Sequence, residues 1–441
     1  MKRIVRAACL GLVRLFYRRI AAAGLEHLPH DGAVVVVANH PNGLLDPVVL
    51  RLGLHRGVAF LGKSTLFVHP IGRMAMGAFA GIPVYRPRDG QDTAQNERTF
   101  DLCRRHLRDG GWLALFPEGT SHSDPSLKAL KTGAARICLS ALDHWPADLP
   151  LRIVPVGLTY EAKETFRSQV ALQVGPPLDV RAFALANGTD FAAAQALTAD
   201  LTAALATVTL QADSEALWRG MLAVAAWTRS GPMDDLADRQ ARARTLAAAY
   251  KALLARNPAR AEALVQATQA FVQHLQALGV ADPLALEPVP PTQEPVSPTL
   301  APLLKWTPLV LLVPLALLGA VLGWLPYLLV RPGAVALARG ETDLIGTFKL
   351  LLGLVVLTLT YATEALAAGL WLGPLAGLAV LAVAPLSGYV ALRWGERWVL
   401  RRQALRAAWL RGTRAEVAAE VVARRREWVA AIEAELAVVA T

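Results

Sequence analysis

The chain has 441 residues, too many for one small domain and enough for two or three. Hydrophobic residues make up 54% of it, mean hydropathy is positive and the formal net charge is +10, which argues against a purely soluble protein and for contact with a membrane. No nucleic-acid-binding motif accompanies the basic excess. The three widely spaced cysteines, Cys9, Cys103 and Cys138, form neither a disulfide framework nor a CxxC metal pair, which suits the reducing, cytosolic side of a membrane.

Residues 1–20 open with Lys2 and Arg3 and interleave Arg6, Arg14, Arg18 and Arg19 with apolar residues. The pattern is that of an amphipathic basic helix lying on a membrane surface. Its alternatives are a surface helix packed on the neighbouring domain and a cleaved signal, for which Ala21-Ala22-Ala23 would imitate the cleavage site.

Residues 21–185 read as an α/β domain with a mostly parallel sheet flanked by helices. Three apolar runs, 33–38 (Ala-Val-Val-Val-Val-Ala), 112–116 and 151–156, are short, continuous and bounded by turn residues, as strands buried on both faces are. Helical patterns over 93–108 and 131–142 fill the gaps. Residues 186–279 are Ala-rich and helical, with one helix over about 233–256 that breaks at Asn257-Pro258 and a second that stops at Gly279. Six prolines make 280–300 an extended linker.

Residues 301–395 form a transmembrane region. Thr307–Val330 carries no charge and has the length to cross a bilayer, while Leu350–Leu392 holds one charge, Glu364, and fits a hairpin of two helices. Glu364 reads either as a functional ionisable group within the membrane or as a residue near the headgroups. Arginines at 393, 397, 401, 402 and 406 make that end cytoplasmic by the positive-inside rule. Three crossings would separate the two ends of the chain. A first segment that is re-entrant, or broken near Pro314 or Gly319, restores an even number, and Pro314, Gly319, Gly323 and Pro326 favour such a break. Residues 396–441 form a charged C-terminal helix.

Four segments carry chemistry. In Asn39-His40-Pro41-Asn42-Gly43-Leu44-Leu45-Asp46-Pro47, a histidine and an aspartate follow a buried strand, where α/β sheets place their sites. The carboxylate can fix the imidazole tautomer, and the imidazole can then take a proton from a hydroxyl. Phe116-Pro117-Glu118-Gly119-Thr120-Ser121-His122 follows another strand, and its glycine–hydroxyl turn suits an anion. In Gly81-Ile82-Pro83-Val84-Tyr85-Arg86, with Arg88 behind it, a guanidinium can grip a phosphate in bidentate fashion. Lys63 and Lys131 are further cations at loop or helix-start positions. Val154-Pro155-Val156-Gly157-Leu158 is apolar and supports the site.

In this order, the four segments resemble the blocks of the glycerol-phosphate/lysophosphatidate acyltransferase superfamily. The likeness covers residues 20–180, with one departure: five residues separate His40 from Asp46, where the common spacing is four. The form His-x-Asn-x-x-x-Asp-Pro, and Ser121 where many lysophosphatidate enzymes carry arginine, are similar to a subgroup that includes fungal glycerol-3-phosphate/dihydroxyacetone-phosphate acyltransferases.

The resemblance implies the glycerolipid acyltransferase fold and His40 as base with Asp46 as its orienter. It implies a substrate-binding site from Asn42, Lys63, Arg86, Glu118, Gly119, Thr120, Ser121 and Lys131, in which Arg86 and the Gly119-Thr120 turn hold the acceptor phosphate, Lys63 or Lys131 assists, and Glu118 positions the acceptor or organises the turn. It implies acyl-CoA or acyl carrier protein as thioester co-substrate, with no metal or redox cofactor, and membrane phospholipids as surroundings. The acceptor is glycerol-3-phosphate or dihydroxyacetone phosphate. The alternatives are a lysophosphatidate or other lysophospholipid acceptor and, more remotely, a non-catalytic lipid-binding protein. The catalytic domain would face the cytoplasm, at the inner membrane in a bacterium. A serine hydrolase would show GxSxG, which the sequence lacks.

Overall fold

The computed structural model describes residues 1–86, 90–143, 145–146, 148–229, 235–287 and 309–440. Arg88 and most of the linker expected over 280–300 lie outside them. The chain divides into two compact units: Met1–Leu222 with Gly231–Ala247 and Glu341–Thr347, and Ala223–Ser230 with Ala248–Gly340 and Phe348–Thr441.

The first unit is built on a mixed, mostly parallel sheet. Its strands are β1 (Arg19–Ala23), β2 (Ala33–Ala38), β3 (Val58–Lys63), β4 (Ile82–Val84), β5 (Trp112–Leu115), β6 (Leu151–Tyr160), β7 (Gln169–Val174) and β8 (Leu178–Asp179). Their order is β1-β7-β6-β2-β5-β3-β4, with β8 against β6. Only the β6–β7 and β6–β8 pairs are antiparallel. β2 sits in the middle, and all six of its residues are buried. That position is why its sequence is a continuous apolar run and does not alternate.

Val35 and Val37 face a core shared with Leu113, Leu115 and Ile153 of neighbouring strands. Helices α4 (Asn96–Arg108), α5 (Gly133–Ala141) and α7 (Phe191–Val208) complete it through Cys103, Leu107, Ile137, Leu197, Leu201 and Leu205. Toward the other face, Gly53 of helix α2 (Asp46–Leu54) is so close to Leu172 of β7 that a methyl there would lie 2.5 Å from it.

The basic N-terminal helix α1 (Lys2–Phe16) forms as expected and has a large amphipathic asymmetry, with Val13 and Phe16 buried. It ends before 20. Arg19–Ala23 is β1, paired in register with β7, so Ala21-Ala22-Ala23 is sheet and the α/β layer begins at 19, ahead of the expected boundary at 21. β1 is rich in alanine and carries no β-branched signal beyond Ile20, which hid it in the sequence.

Two helices complete the expected 186–279 region. α9 (Leu236–Arg256) and α10 (Pro258–Leu278) are separated at Asn257, whose side chain caps α10 by accepting from Arg260 N at 3.1 Å. Gly279 ends α10 in the left-handed region at φ 66°. The start of the expected linker is packed, in contrast to the sequence reading. Pro283–Leu286 is a short 3-10 turn with Pro283 and Leu286 buried, because Asp282 caps it.

In the second unit, α11 (Val313–Leu322) and α12 (Trp324–Ala338) meet at Gly323 with a bend of 50°, so the first apolar segment is broken, though at Gly323 and not near Pro314 or Gly319 as the sequence suggests. They are followed by α13 (Ile345–Leu372) and α14 (Pro374–Thr413). Both of these are long and apolar enough to cross a membrane, and the bent pair qualifies when taken as one span. α7 also passes on length and composition, but its buried leucines belong to the sheet core. α11 and α14 approach so closely that a methyl on Gly319 would fall 2.0 Å from the Ser387 carbonyl oxygen, the small-residue contact by which helices pack in lipid. α14 runs through the boundary expected at 396. It stops at Arg414, and α15 (Ala415–Ala440) follows.

Candidate active site

Strands β2, β3, β4, β5 and β6 are parallel along the β4-β3-β5-β2-β6 path, so their carboxyl ends lie on one edge of the sheet. His40 follows β2, Lys63 ends β3, Arg86 follows β4, Phe116–His122 follows β5, and Tyr160 ends β6. The topology alone thus brings the motifs to one rim, the usual place for a site in such sheets.

At the centre, His40 Nδ1 lies 2.8 Å from Asp46 Oδ2. Asp46 is the first residue of α2 and is fully buried. A carboxylate there is favoured by the helix N-terminus, and Pro47 behind it has no N–H to lose. Two more donors hold it: the Asn42 amide to Oδ2 at 2.8 Å and the Tyr160 hydroxyl to Oδ1 at 2.5 Å. Burial, and then the Asp46 charge, push the Tyr160 phenol well above its usual range, so it stays protonated and donates. The carboxylate is acceptor-only, so His40 Nδ1 carries the hydrogen and Nε2 presents a lone pair. Among the described residues Nε2 has no partner.

The extra residue between His40 and Asp46 does not prevent this contact. Gly43 takes φ 32°, and Leu45 and Asp46 both donate to the Asn42 carbonyl, at 3.0 and 3.3 Å, so 42–46 closes as a compact turn that absorbs the insertion.

The β2 and β5 loops are stitched together. His40 N donates to Glu118 Oε1 at 3.0 Å, and His122 N donates to the His40 carbonyl at 3.1 Å. The Phe116 ring stacks on the His40 ring with centroids 4.0 Å apart. Glu118 is buried, and its other oxygen accepts from Lys128 N at 2.9 Å and from His122 Nε2. Both carboxylate oxygens are therefore occupied, and of its two expected roles Glu118 takes that of organising the turn.

Asn42 departs from expectation. It is fully buried, and its amide donates to the Tyr17 hydroxyl at 2.7 Å and the Lys163 carbonyl at 3.3 Å, so it braces the turn from inside and does not face an acceptor. The reason is the compact turn, which points residue 42 into the domain.

The remaining expected residues line the rim. Gly119, at φ 71°, lies directly under Lys131: a methyl on it would come 2.7 Å from Lys131 Nζ. The exposed Lys131 ammonium thus covers the glycine turn, one strand away from His40. Thr120 and Ser121 are partly exposed beside it, with Thr120 Oγ1 donating to the Ser121 carbonyl at 3.2 Å. Lys63 is exposed two strands from β2. Arg86 follows the edge strand, three strands or about 14 Å from β2 at ordinary strand spacing.

Sequence reasoning missed Tyr160, Tyr17 and Lys163, and it quoted His122 in its motif without giving it a role. Tyr17 stacks obliquely near Tyr160 with centroids 5.4 Å apart and donates to the Lys163 carbonyl at 2.8 Å. Lys163 Nζ donates to the Pro41 carbonyl at 2.9 Å and to Ser123 Oγ at 2.6 Å. Burial holds its ammonium below the usual lysine range. A signal for Tyr160 was available: a tyrosine at the end of an apolar strand beside the histidine strand. Nothing local marked Tyr17 or Lys163.

The Acyltransferase family model matches residues 19–159, which spans the whole His40–Asp46 and Phe116–His122 constellation. Over 255 residues the chain is 24% identical to an uncharacterized acyltransferase of Schizosaccharomyces pombe, covering 38% of each chain. It is 25% identical over 251 residues to glycerol-3-phosphate O-acyltransferase 1 of Saccharomyces cerevisiae, covering 37% of this chain and 33% of that one. It is 35% identical over 122 residues to a chloroplastic 1-acyl-sn-glycerol-3-phosphate acyltransferase of Arabidopsis thaliana, covering 27% and 32%. The match therefore spans about a third of the length of these relatives. The segment that matches the Acyltransferase family model, residues 19–159, thus coincides with the sheet and its carboxyl-edge loops.

Proposed function

We propose that the protein transfers a fatty acyl group from an acyl thioester to a hydroxyl of glycerol-3-phosphate or dihydroxyacetone phosphate, with His40 as general base. The observation that carries this reading is the 2.8 Å contact between His40 Nδ1 and a buried, three-donor Asp46, which leaves the opposite ring nitrogen available.

In this reading His40 Nε2 takes the proton of the acceptor hydroxyl as its oxygen attacks the thioester carbonyl. The carbon–sulfur bond breaks, and the thiolate leaves and recovers the proton from the imidazolium. Asp46 stabilises the imidazolium while it exists. The Gly119–Ser121 turn and Lys131 bind the acceptor phosphate, with Arg86 and Lys63 contributing from farther along the rim. Holding the phosphate fixes the hydroxyl against the base, and such positioning supplies much of the rate. Because Gly119 is one strand from His40 and Arg86 three, removing Lys131 weakens acceptor binding more than removing Arg86.

The apolar helices α13 and α14 and the basic stretch from Arg393 anchor the protein in a membrane with the catalytic domain on the cytoplasmic side. A re-entrant α11–α12 pair gives two crossings and an even count. The donor is acyl-CoA or acyl carrier protein.

A lysophosphatidate acceptor is the second reading, favoured by the 35% identity to a plant relative named for that acceptor. The test is an acceptor panel with a labelled acyl thioester and full-length protein, with His40→Ala as the control. Transfer to glycerol-3-phosphate that is lost in His40→Ala supports the first reading. Transfer only to 1-acylglycerol-3-phosphate selects the second, and no transfer to any glycerophosphate contradicts both.

A further inference from the structure

Residues 341–347 lead from α12 into the start of α13, just over three hundred residues after His40 in the sequence, yet they belong to the first unit. Thr342–Leu344 is a 3-10 turn, and Ile345 begins α13. Three contacts place this segment against the turn that carries the dyad.

Leu344 lies over Gly43: a methyl on that glycine would fall 2.6 Å from Leu344 Cδ2 and 3.5 Å from the Asp343 carbonyl. Gly346 lies against the inner side of the same turn, where a methyl would come 2.9 Å from the Lys163 carbonyl and 3.2 Å from Asn42 Oδ1. The Thr342 hydroxyl hydrogen-bonds Ser123, and Ser123 accepts from Lys163. Lys163 in turn grips the Pro41 carbonyl, next to His40. Asp343 is buried, and its charge acts on Lys163.

The turn therefore has two supports. Asp46, Tyr160 and Tyr17 hold it from within the α/β domain, and 341–347 holds it from a part of the chain outside the family's segment. The spatial logic is specific. Gly43 is where the turn absorbs its extra residue, and a residue without Cβ leaves a hollow that the Leu344 side chain fills. Loss of that side chain opens a cavity under the one segment whose shape sets the His40–Asp46 distance.

We infer that 341–347 is a positioning element of the proposed active site, with Leu344 packing on Gly43 and Thr342 hydrogen-bonded to Ser123 to hold residues 41–45 in the form that sets His40 on Asp46. This rests on His40 being the functional base, so the test has an arm that does not depend on the reaction. Full-length Leu344→Ala, Leu344→Met and Asp343→Asn are compared with wild type and with Leu351→Ala, an exposed leucine of α13 as control.

In the activity arm, Leu344→Ala lowers kcat ~10-fold or more with little change in the KM for thioester, since misplacement of a base by an ångström is costly. Leu344→Met restores most of it, Asp343→Asn falls between, and Leu351→Ala matches wild type. In the independent arm, diethyl pyrocarbonate modification of His40 is followed by peptide mass spectrometry, with His106 as internal reference. Leu344→Ala changes the His40 rate several-fold and leaves that of His106 unchanged.

If wild type shows no acyl transfer, the functional reading fails and the labelling arm alone decides the inference. Unchanged His40 labelling in Leu344→Ala overturns it, as does a kcat loss that Leu344→Met does not recover. Should Leu344→Ala fail to fold, Asp343→Asn carries the same two readouts.

Discussion

Two histidine–carboxylate pairs face each other across adjacent loops, and they are built for different ends. In one, His40 uses only Nδ1, on Asp46, and its side chain keeps 18% exposure. In the other, His122 uses both ring nitrogens: Nε2 meets Glu118, and Nδ1 accepts from Asp124 N at 3.2 Å, with 9% exposure. The carboxylates differ as well. Asp46 is held by a phenol and a backbone amide that leave the histidine its third contact, whereas Glu118 spreads its contacts over His40 N, Lys128 N and His122. A histidine with no spare nitrogen cannot take a proton from a substrate. The comparison favours His40 over His122 for the base role proposed above and leaves His122 to join the loops, although a sequence search for His near an acid finds both.

The largest effect expected is from His40→Ala, a fall in kcat of ~10²–10⁴, the usual contribution of a general base. Steady-state rates with labelled thioester measure it. Asp46→Asn comes next, with a loss of ~10²-fold or more, because the amide offers Nδ1 the wrong hydrogen-bonding partner and disturbs the tautomer. The donors that converge on the buried carboxylate also lose an acceptor there, so thermal stability in detergent falls too.

Tyr160→Phe sharpens the comparison. It strips one of three donors from a buried carboxylate, which costs ~1–3 kcal/mol, and kcat drops about tenfold without a large change in acceptor KM. The corresponding change on the other side, His122→Ala, leaves Glu118 short of a donor. It lowers the melting temperature, while kcat is largely kept. If His122→Ala damages kcat as much as Asp46→Asn does, the division of labour between the pairs is wrong.

Much of this was legible in the sequence. The apolar runs at 33–38, 112–116 and 151–156 located the central strands because central strands are buried on both faces. The four motifs located the rim because loops after parallel strands share one edge. That the first apolar segment breaks was legible from Pro314, Gly319, Gly323 and Pro326, but its place at Gly323 was not. What was hidden is non-local. β1 has a single β-branched residue, Ile20, and is defined by its pairing to β7. Tyr17, Tyr160 and Lys163 lie 23, 120 and 123 positions from His40, so only the fold brings them to the turn. Asn42 illustrates the limit: its place in the motif suggested contact with substrate, and its burial under the turn gives it a bracing role.

The smallest expected effect concerns the core behind the site. Burial pushes the Cys103 thiol up to about 12, and raises Cys138 further, also by burial. A folded-state value raised above the unfolded ~8.5 means that this contribution to stability is intact below that pH. It is lost as pH climbs toward 12, since the unfolded chain gives up its thiol proton first. Alkylation at pH 8 should label Cys9 ahead of Cys103 and Cys138. Equal labelling of all three would show that the α4–α5 layer opens readily.

The most direct test of the central claim is to measure kcat for acyl transfer to glycerol-3-phosphate in full-length His40→Ala and His122→Ala side by side. Each protein is first shown to be folded by its melting curve. A rate at least ~10²-fold below wild type for the first variant, with most of the rate retained by the second, is the expected result. Substantial activity in His40→Ala, or the reverse ranking of the two histidines, would contradict it.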